Sequence, residues 1–315
     1  MIGFSRPFTL ILFGVLLVSH AHAELRSMDN TVLKKAAHLS VIPLWPSGTP
    51  DIDADIPEKV KPQGKRFYDI HNPNITVYKA KQPNGIAVVL CAGGGYSYIA
   101  TGVEGVPTAE KLNKFGITVF VLKYRLPPTF KHPVPLSDAM RAIQLVRHHA
   151  TDFDIDPDKV GIMGFSAGGH LASSAGTLFS NYSFASDRIS KERSRPDFMA
   201  LVYPVISTRK DIGNKSAFSL VEGNPNAESL ALLSNELNVM AATPPAFLVH
   251  AKDDLTVSYQ NSVLMHQALK NHGVPSSLYL YEKGGHGFGV GREGTDSAQW
   301  TDDFIAWLQQ MYKPG

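Results

Sequence analysis

Ser166 stands at the centre of Gly164-Phe165-Ser166-Ala167-Gly168, a G-x-S-x-G spacing set between an apolar run over 160–163 and the start of a helical pattern. A serine on a sharp strand-to-helix turn needs small residues on both sides, because larger side chains would collide with the neighbouring elements. Such a turn lifts Oγ clear of the sheet, next to helix N-terminal amides that favour a developing anion. Alone, the spacing equally describes a structural glycine turn, so its partners decide the reading. Three successive glycines in Ala92-Gly93-Gly94-Gly95-Tyr96 follow an apolar run ending at Cys91 and leave backbone amides uncovered. That is what an oxyanion hole requires. The expected donors are the amides of Gly94 and Gly95, with Ala167 as the third. A phosphate cradle is the other use for such a loop, but neither G-x-G-x-x-G with a distal acid nor a P-loop lysine accompanies it.

A base and an acid complete the set. His286 sits in Gly284-Gly285-His286-Gly287-Phe288, and Asp253 and Asp254 follow the apolar run over 246–250. Singly, the Asp-Asp pair reads as a solvated turn and the histidine as a loop residue. Together they lie just past strand ends, on the edge where an open α/β sheet collects its ligands. The order Ser…Asp…His is that of α/β-hydrolases. The residues themselves leave the choice between the two aspartates open. Tyr96 and Tyr98, just after the glycine run, are candidates for substrate binding. His148 and His149 fall near an exposed helix end, and His170 is expected under the serine turn. No His/Cys/Asp set has metal-ligand spacing, so neither metal nor cofactor is expected.

The elements that must position these residues can be read from periodicity. Strands are expected at 75–78 (an edge strand), 86–91, 117–122, 199–203, 246–250 and 277–281, with a short one from Val160 into the serine turn. Continuous β-branched runs separated by helical stretches imply a mostly parallel sheet covered on both faces. An amphipathic helix is expected over 135–150, with others ending near 115 and covering 260–270 and 297–312. Asp156-Pro157-Asp158-Lys159 reads as a turn into the serine strand. The polar excursion over 204–244, with a short helical pattern at 230–237, is expected to form a small cap.

The first residues read as a targeting segment. Arg6, the apolar run over 8–18 and Ala21-His22-Ala23 fit a signal peptide over 1–23, with the mature chain starting near Glu24 and no membrane span left after cleavage. The product is expected to be exported, to the periplasm or outside the cell. Residues 24–70, with Ile42-Pro43-Leu44-Trp45-Pro46 as their one apolar cluster, read as an extended lead-in that packs a tryptophan on the domain, and 71–315 as one large α/β domain. With 30 Lys+Arg against 28 Asp+Glu, the near-neutral balance implies neither nucleic acid nor an anionic membrane as partner. The single cysteine, Cys91, excludes an intramolecular disulfide framework and reads as a core residue.

Several stretches carry a family resemblance: Leu44-Trp45-Pro46, the glycine run into Tyr96, and Val121-Leu122-Lys123-Tyr124-Arg125-Leu126. It continues through 161–172, Thr243-Pro244-Pro245 to Ala251, and 284–288. Together they resemble the bacterial acetylxylan-esterase-like, carbohydrate-esterase-like branch of the α/β-hydrolases. The resemblance implies an α/β-hydrolase fold over 71–315 and a serine esterase acting on short acyl, chiefly acetyl, esters of small-molecule or oligosaccharide substrates. It selects Asp254 as the acid, with Ser166 and His286 as nucleophile and base. Tyr124-Arg125-Leu126 also resembles hormone-sensitive-lipase-like esterases, whose oxyanion loop begins with histidine where Ala92 stands. A general short-chain carboxylesterase is therefore the alternative among enzymes, and an esterase-like binding protein the alternative outside them. Glycoside cleavage would need two opposed carboxyl groups, whereas this set suits acyl transfer.

Overall fold

The computed structural model describes residues 40–45, 59–61, 66–212 and 214–313. The signal peptide read at 1–23 lies outside the described residues, as do Pro46 and the rest of the lead-in. In chain order the strands are β1 (Ser40–Pro43), β2 (Lys59–Lys61), β3 (Arg66–Tyr68), β4 (Asn74–Tyr78), β5 (Gly85–Cys91) and β6 (Thr118–Lys123). They continue with β7 (Ile155–Phe165), β8 (Met199–Val202), β9 (Ala246–Ala251) and β10 (Ser276–Tyr281). The α-helices are α1 (Val106–Asn113), α2 (Val134–His148), α3 (Ala167–Thr177), α4 (Ala227–Leu232), α5 (Gln260–Asn271) and α6 (Trp300–Met311).

Eight strands form one sheet in the order β1-β4-β6-β5-β7-β8-β9-β10, and β2 pairs with β3 alone. The contacts of β4 with β1 and β6 are antiparallel, while every pairing from β6 through β10 is parallel. The runs in β8 and β9 are buried at every position. That is why they read as unbroken apolar stretches rather than alternating ones: helices cover both faces of a parallel sheet. Among the described residues, no helix is long and apolar enough to cross a membrane.

Three expectations need correction. The strand at 75–78 is not at the edge, because β1 pairs outside it through Ser40–Val77 and Ile42–Ile75. Within the lead-in, Ile42 and Leu44 turn inward while Val41 stays exposed, an alternation suited to an edge strand. The segment 156–159 is not a turn before the serine strand but a bulge within β7. The register passes from Gly85–Ile155 to Ala87–Val160, and the Asp158 amide closes the bulge onto Asp156 Oδ1 at 2.9 Å. The expected helix over 297–312 begins as a short 3-10 turn at Asp296–Gln299 before α6.

Trp45 docks as expected. Its Nε1 donates to Asp138 Oδ1 at 3.1 Å, and the Arg141 guanidinium lies 4.8 Å from the centre of its rings. Asp138 is fully buried but paired with Arg125, whose Nε and NH2 groups both donate to it, so its charge is compensated. The 204–244 excursion is tied down by Asn235, whose Nδ2 donates to the carbonyl of His170 at 3.0 Å and to Ser173 Oγ at 2.7 Å in α3. On its other side, the amides of Ile206 and Ser207 donate to Asn261 Oδ1 in α5.

Candidate active site

Ser166 lies between the C-terminal end of β7 and the first turn of α3, at φ 53° and ψ −119°. A non-glycine residue in this region costs about 1–3 kcal/mol and persists only where its surroundings over-determine it. They do so here. The Ser166 amide donates to the Val202 carbonyl, while the amides of His170 and Val205 converge on the Ser166 carbonyl. The flanking glycines are required by close approach: a Cβ on Gly164 would lie 2.1 Å from the Gly168 carbonyl oxygen, and one on Gly168 would lie 2.1 Å from that of Cys91. Cys91 itself is fully buried, and burial pushes its thiol pKa far up, as suits a core residue.

The three sequence-predicted chemical groups meet. Ser166 Oγ is 2.9 Å from His286 Nε2, and His286 Nδ1 is 2.7 Å from Asp254 Oδ2. Because a carboxylate only accepts, Nδ1 carries the proton and Nε2 is left to accept from the serine hydroxyl. Asp254 is 6% exposed, with its other oxygen accepting the amides of Thr256 and Val257 at 2.8 and 2.9 Å. Burial alone would raise its pKa. Hydrogen bonds from His250, His286 and the Val257 amide overrule burial and hold the carboxyl well below the usual carboxylate range. Asp253 is exposed, and its Oδ1 accepts the amides of Gly284 and Gly285 at 2.9 and 2.7 Å. It therefore anchors the loop that carries His286.

The glycine loop passes beside the serine. A Cβ on Gly93 would meet Ser166 Cβ at 2.9 Å, and Gly94, at φ 131°, folds back so that its carbonyl accepts from Ser97. The amides of Gly94, Gly95 and Ala167 donate to no protein group among the described residues. Gly94 and Gly95 follow the residue that abuts Ser166, and Ala167 follows Ser166 itself at the start of α3.

Tyr96 does not line a substrate pocket. At φ 57° its side chain turns inward and is 1% exposed, with its hydroxyl 2.9 Å from His170 Nδ1. Burial pushes the His170 pKa down to about 4, so the ring is neutral at pH 7 and its Nε2–H donates to the Leu233 carbonyl at 2.8 Å. This chain of bonds fastens the glycine loop, α3 and the 204–244 excursion together. Tyr98 is half-buried. Its ring packs 5.5 Å from that of Tyr68, under the Arg66 guanidinium.

Two site residues escaped the sequence reading. Glu104, 5% exposed, sits in the one-turn π-helix Thr101–Gly105; its Oε2 accepts the Gly93 amide at 2.5 Å and its Oε1 the Tyr203 hydroxyl at 3.0 Å. Burial pushes its pKa up, against the lowering effects of the Gly93 amide, Tyr203 and His286. Tyr203, directly after β8, has φ 37° and packs its ring edge 5.0 Å from the His286 ring. One signal was present: Glu104 is the first charged residue after the glycine loop, in an otherwise uncharged stretch.

Relatives fit this geometry. The chain is 36% identical over 239 residues to an acetylxylan esterase of Xylanibacter ruminicola, covering 74% of this chain and 47% of that protein. It is 30% identical over 295 residues to an endo-1,4-beta-xylanase B of Butyrivibrio fibrisolvens, covering 88% and 46%. The chain thus spans about half the length of these curated relatives. A solved acetyl ester-xyloside bifunctional hydrolase from Caldicellulosiruptor lactoaceticus superposes with a TM-score of 0.76 at 36% identity, over 88% of this chain and 97% of that one. The BD-FAE family profile matches residues 69–269, so the chain belongs to the BD-FAE family of α/β-hydrolases.

Proposed function

We propose that the chain is a serine esterase that removes short acyl groups, chiefly acetyl, from saccharide esters. The observation that carries this reading is the hydrogen-bonded chain Ser166–His286–Asp254. His286 takes the Ser166 proton as Oγ attacks the ester carbonyl, and Asp254 holds the imidazole in the tautomer that permits this. The amides of Gly94, Gly95 and Ala167 receive the oxyanion of the tetrahedral intermediate. His286 then protonates the leaving alcohol, and water frees the acyl group by the same steps in reverse. Every group needed is a side chain or amide of the protein itself.

A panel of acetyl, longer-acyl and feruloyl esters, with acetylated xylo-oligosaccharides, tests the substrate class. The names of the relatives favour acetyl. Acetyl esters are expected to be cut at least tenfold faster in kcat/KM than octanoyl esters, about 1.4 kcal/mol of discrimination. A preference that rises with chain length would shift the reading to a lipase-like carboxylesterase. A phosphonate that labels serine nucleophiles separates either enzyme from a binding protein, which would remain unlabelled.

The proposal includes export. Mass spectrometry of the protein from its native host is expected to find an N-terminus near Glu24. A mature protein retaining 8–18 would overturn cleavage.

A further inference from the structure

Glu104 is a buried carboxyl that touches none of the reacting atoms, yet its two oxygens reach two different parts of the site. Oε2 accepts from Gly93, the residue that abuts Ser166 and precedes the open amides of Gly94 and Gly95. Oε1 accepts from Tyr203, whose hydroxyl in turn accepts the amide of Gly289 at 3.1 Å. Gly289 belongs to the glycine-rich loop of His286, and the Tyr203 ring is wedged against His286 and, at 4.5 Å, against Phe288. The glycine loop follows β5, the histidine loop follows β10, and Tyr203 follows β8. These three segments are far apart in sequence, and they converge on one carboxyl.

Both loops need such a joint. Residues 93–95 and 284–287 are glycine-rich, so their backbones have little local preference for the working conformation. Oxyanion donors act only when held where the charge develops, and a base only within hydrogen-bond reach of its proton. A loop displacement of about an ångström costs much of that benefit. Asp253 anchors the start of the histidine loop, but its two bonds reach only Gly284 and Gly285. Beyond His286, the loop is fixed by Gly289, which donates to Tyr203 and accepts from Trp300 Nε1 at 2.9 Å.

We propose that Glu104 is a positioning residue for the hydrolytic reaction, a shared joint that locks the oxyanion loop and, through Tyr203, the His286 loop into one geometry. The proposal rests on the esterase reading above. A carboxylate suits the role because it accepts from two donors on opposite sides at once. The amide of glutamine keeps one acceptor for Gly93, but its NH2 can meet Tyr203 only by reversing that bond onto a hydroxyl that already accepts from Gly289, so this arm is weakened.

The test is steady-state kinetics on an acetyl ester with purified wild type, Glu104→Gln, Tyr203→Phe and the double variant. Rates are expressed per site titrated with a serine-directed phosphonate, so that misfolded protein does not count. For Glu104→Gln, kcat is expected to fall about 10- to 100-fold, with KM within about threefold, because the lost interactions act on the transition state. Tyr203→Phe cuts only the arm to the histidine loop, and its kcat is expected to fall at least about threefold. The double variant should be no worse than Glu104→Gln by more than about twofold, since both residues act through one joint. A Glu104→Gln enzyme within twofold of wild type overturns the proposal while leaving the esterase reading intact, and so do single losses that multiply in the double variant. If Glu104→Gln fails to fold, Tyr203→Phe decides: unchanged kcat per titrated site overturns the joint. Wild-type protein that neither turns over esters nor takes the phosphonate overturns both readings.

Discussion

Ser166→Ala is expected to abolish ester hydrolysis, lowering kcat on the order of a million-fold, while the protein remains folded. Folding should survive because the hydroxyl has His286 Nε2 as its one described side-chain partner. The bonds that fix the turn run instead through the Ser166 amide and carbonyl, which alanine keeps. Alanine also retains the Cβ, so it bears the same strained φ with no new collision. The residual rate, from the oxyanion amides and substrate binding alone, should lie near the detection limit. Kinetics on contaminant-free protein, with circular dichroism for folding, check this. More than a few per cent of wild-type turnover would sink the nucleophile assignment.

The neighbouring aspartates should separate by orders of magnitude. Asp254→Asn keeps an oxygen for the Thr256 and Val257 amides but can turn an NH2 toward His286 Nδ1. The imidazole then holds its proton on Nε2, facing Ser166, and cannot take the serine proton. In a comparable triad this wrong tautomer costs about ten-thousand-fold in kcat. Asp253→Asn retains an oxygen that can accept from Gly284 and Gly285, and its exposed carboxylate contributes little beyond that. Its kcat should stay within about tenfold of wild type, with a stability loss of about 1 kcal/mol or less. The reverse ranking would move the acid to Asp253, and two near-wild-type enzymes would place it elsewhere in the chain.

The sequence made the nucleophile turn, the glycine loop and the histidine loop legible because each is a local pattern at the end of a buried apolar run. Parallel strands in the middle of the sheet were legible for the same reason, burial on both faces leaving no polar interruptions. What escaped depends on direction or on distance along the chain. Tyr96 follows the oxyanion loop, but adjacency does not say where a side chain points. The left-handed backbone at that residue sends the ring inward to His170. Glu104 meets Tyr203 across 99 positions, a separation no spacing rule anticipates. Strand β1 is four residues long, ends in proline and finds its partner more than thirty residues on, so it read as lead-in. The segment 156–159 has turn composition and turn geometry, yet pairing on both sides of it makes it a bulge in one strand.

The two buried carboxyls of the site tilt acid tolerance in opposite directions. Asp254 has a lower pKa folded than unfolded, so the stability it contributes is complete above the ordinary carboxylate range. That contribution is withdrawn as pH falls toward the depressed folded value. Glu104 has a higher pKa folded than unfolded, so what it contributes is complete below the ordinary range and is lost as pH rises through its raised folded value. Acidification thus weakens the fold at one carboxyl while relieving an unfavourably buried charge at the other. The two windows adjoin rather than overlap, so stability arising from this neighbourhood is greatest near the ordinary carboxylate range and declines on either side of it.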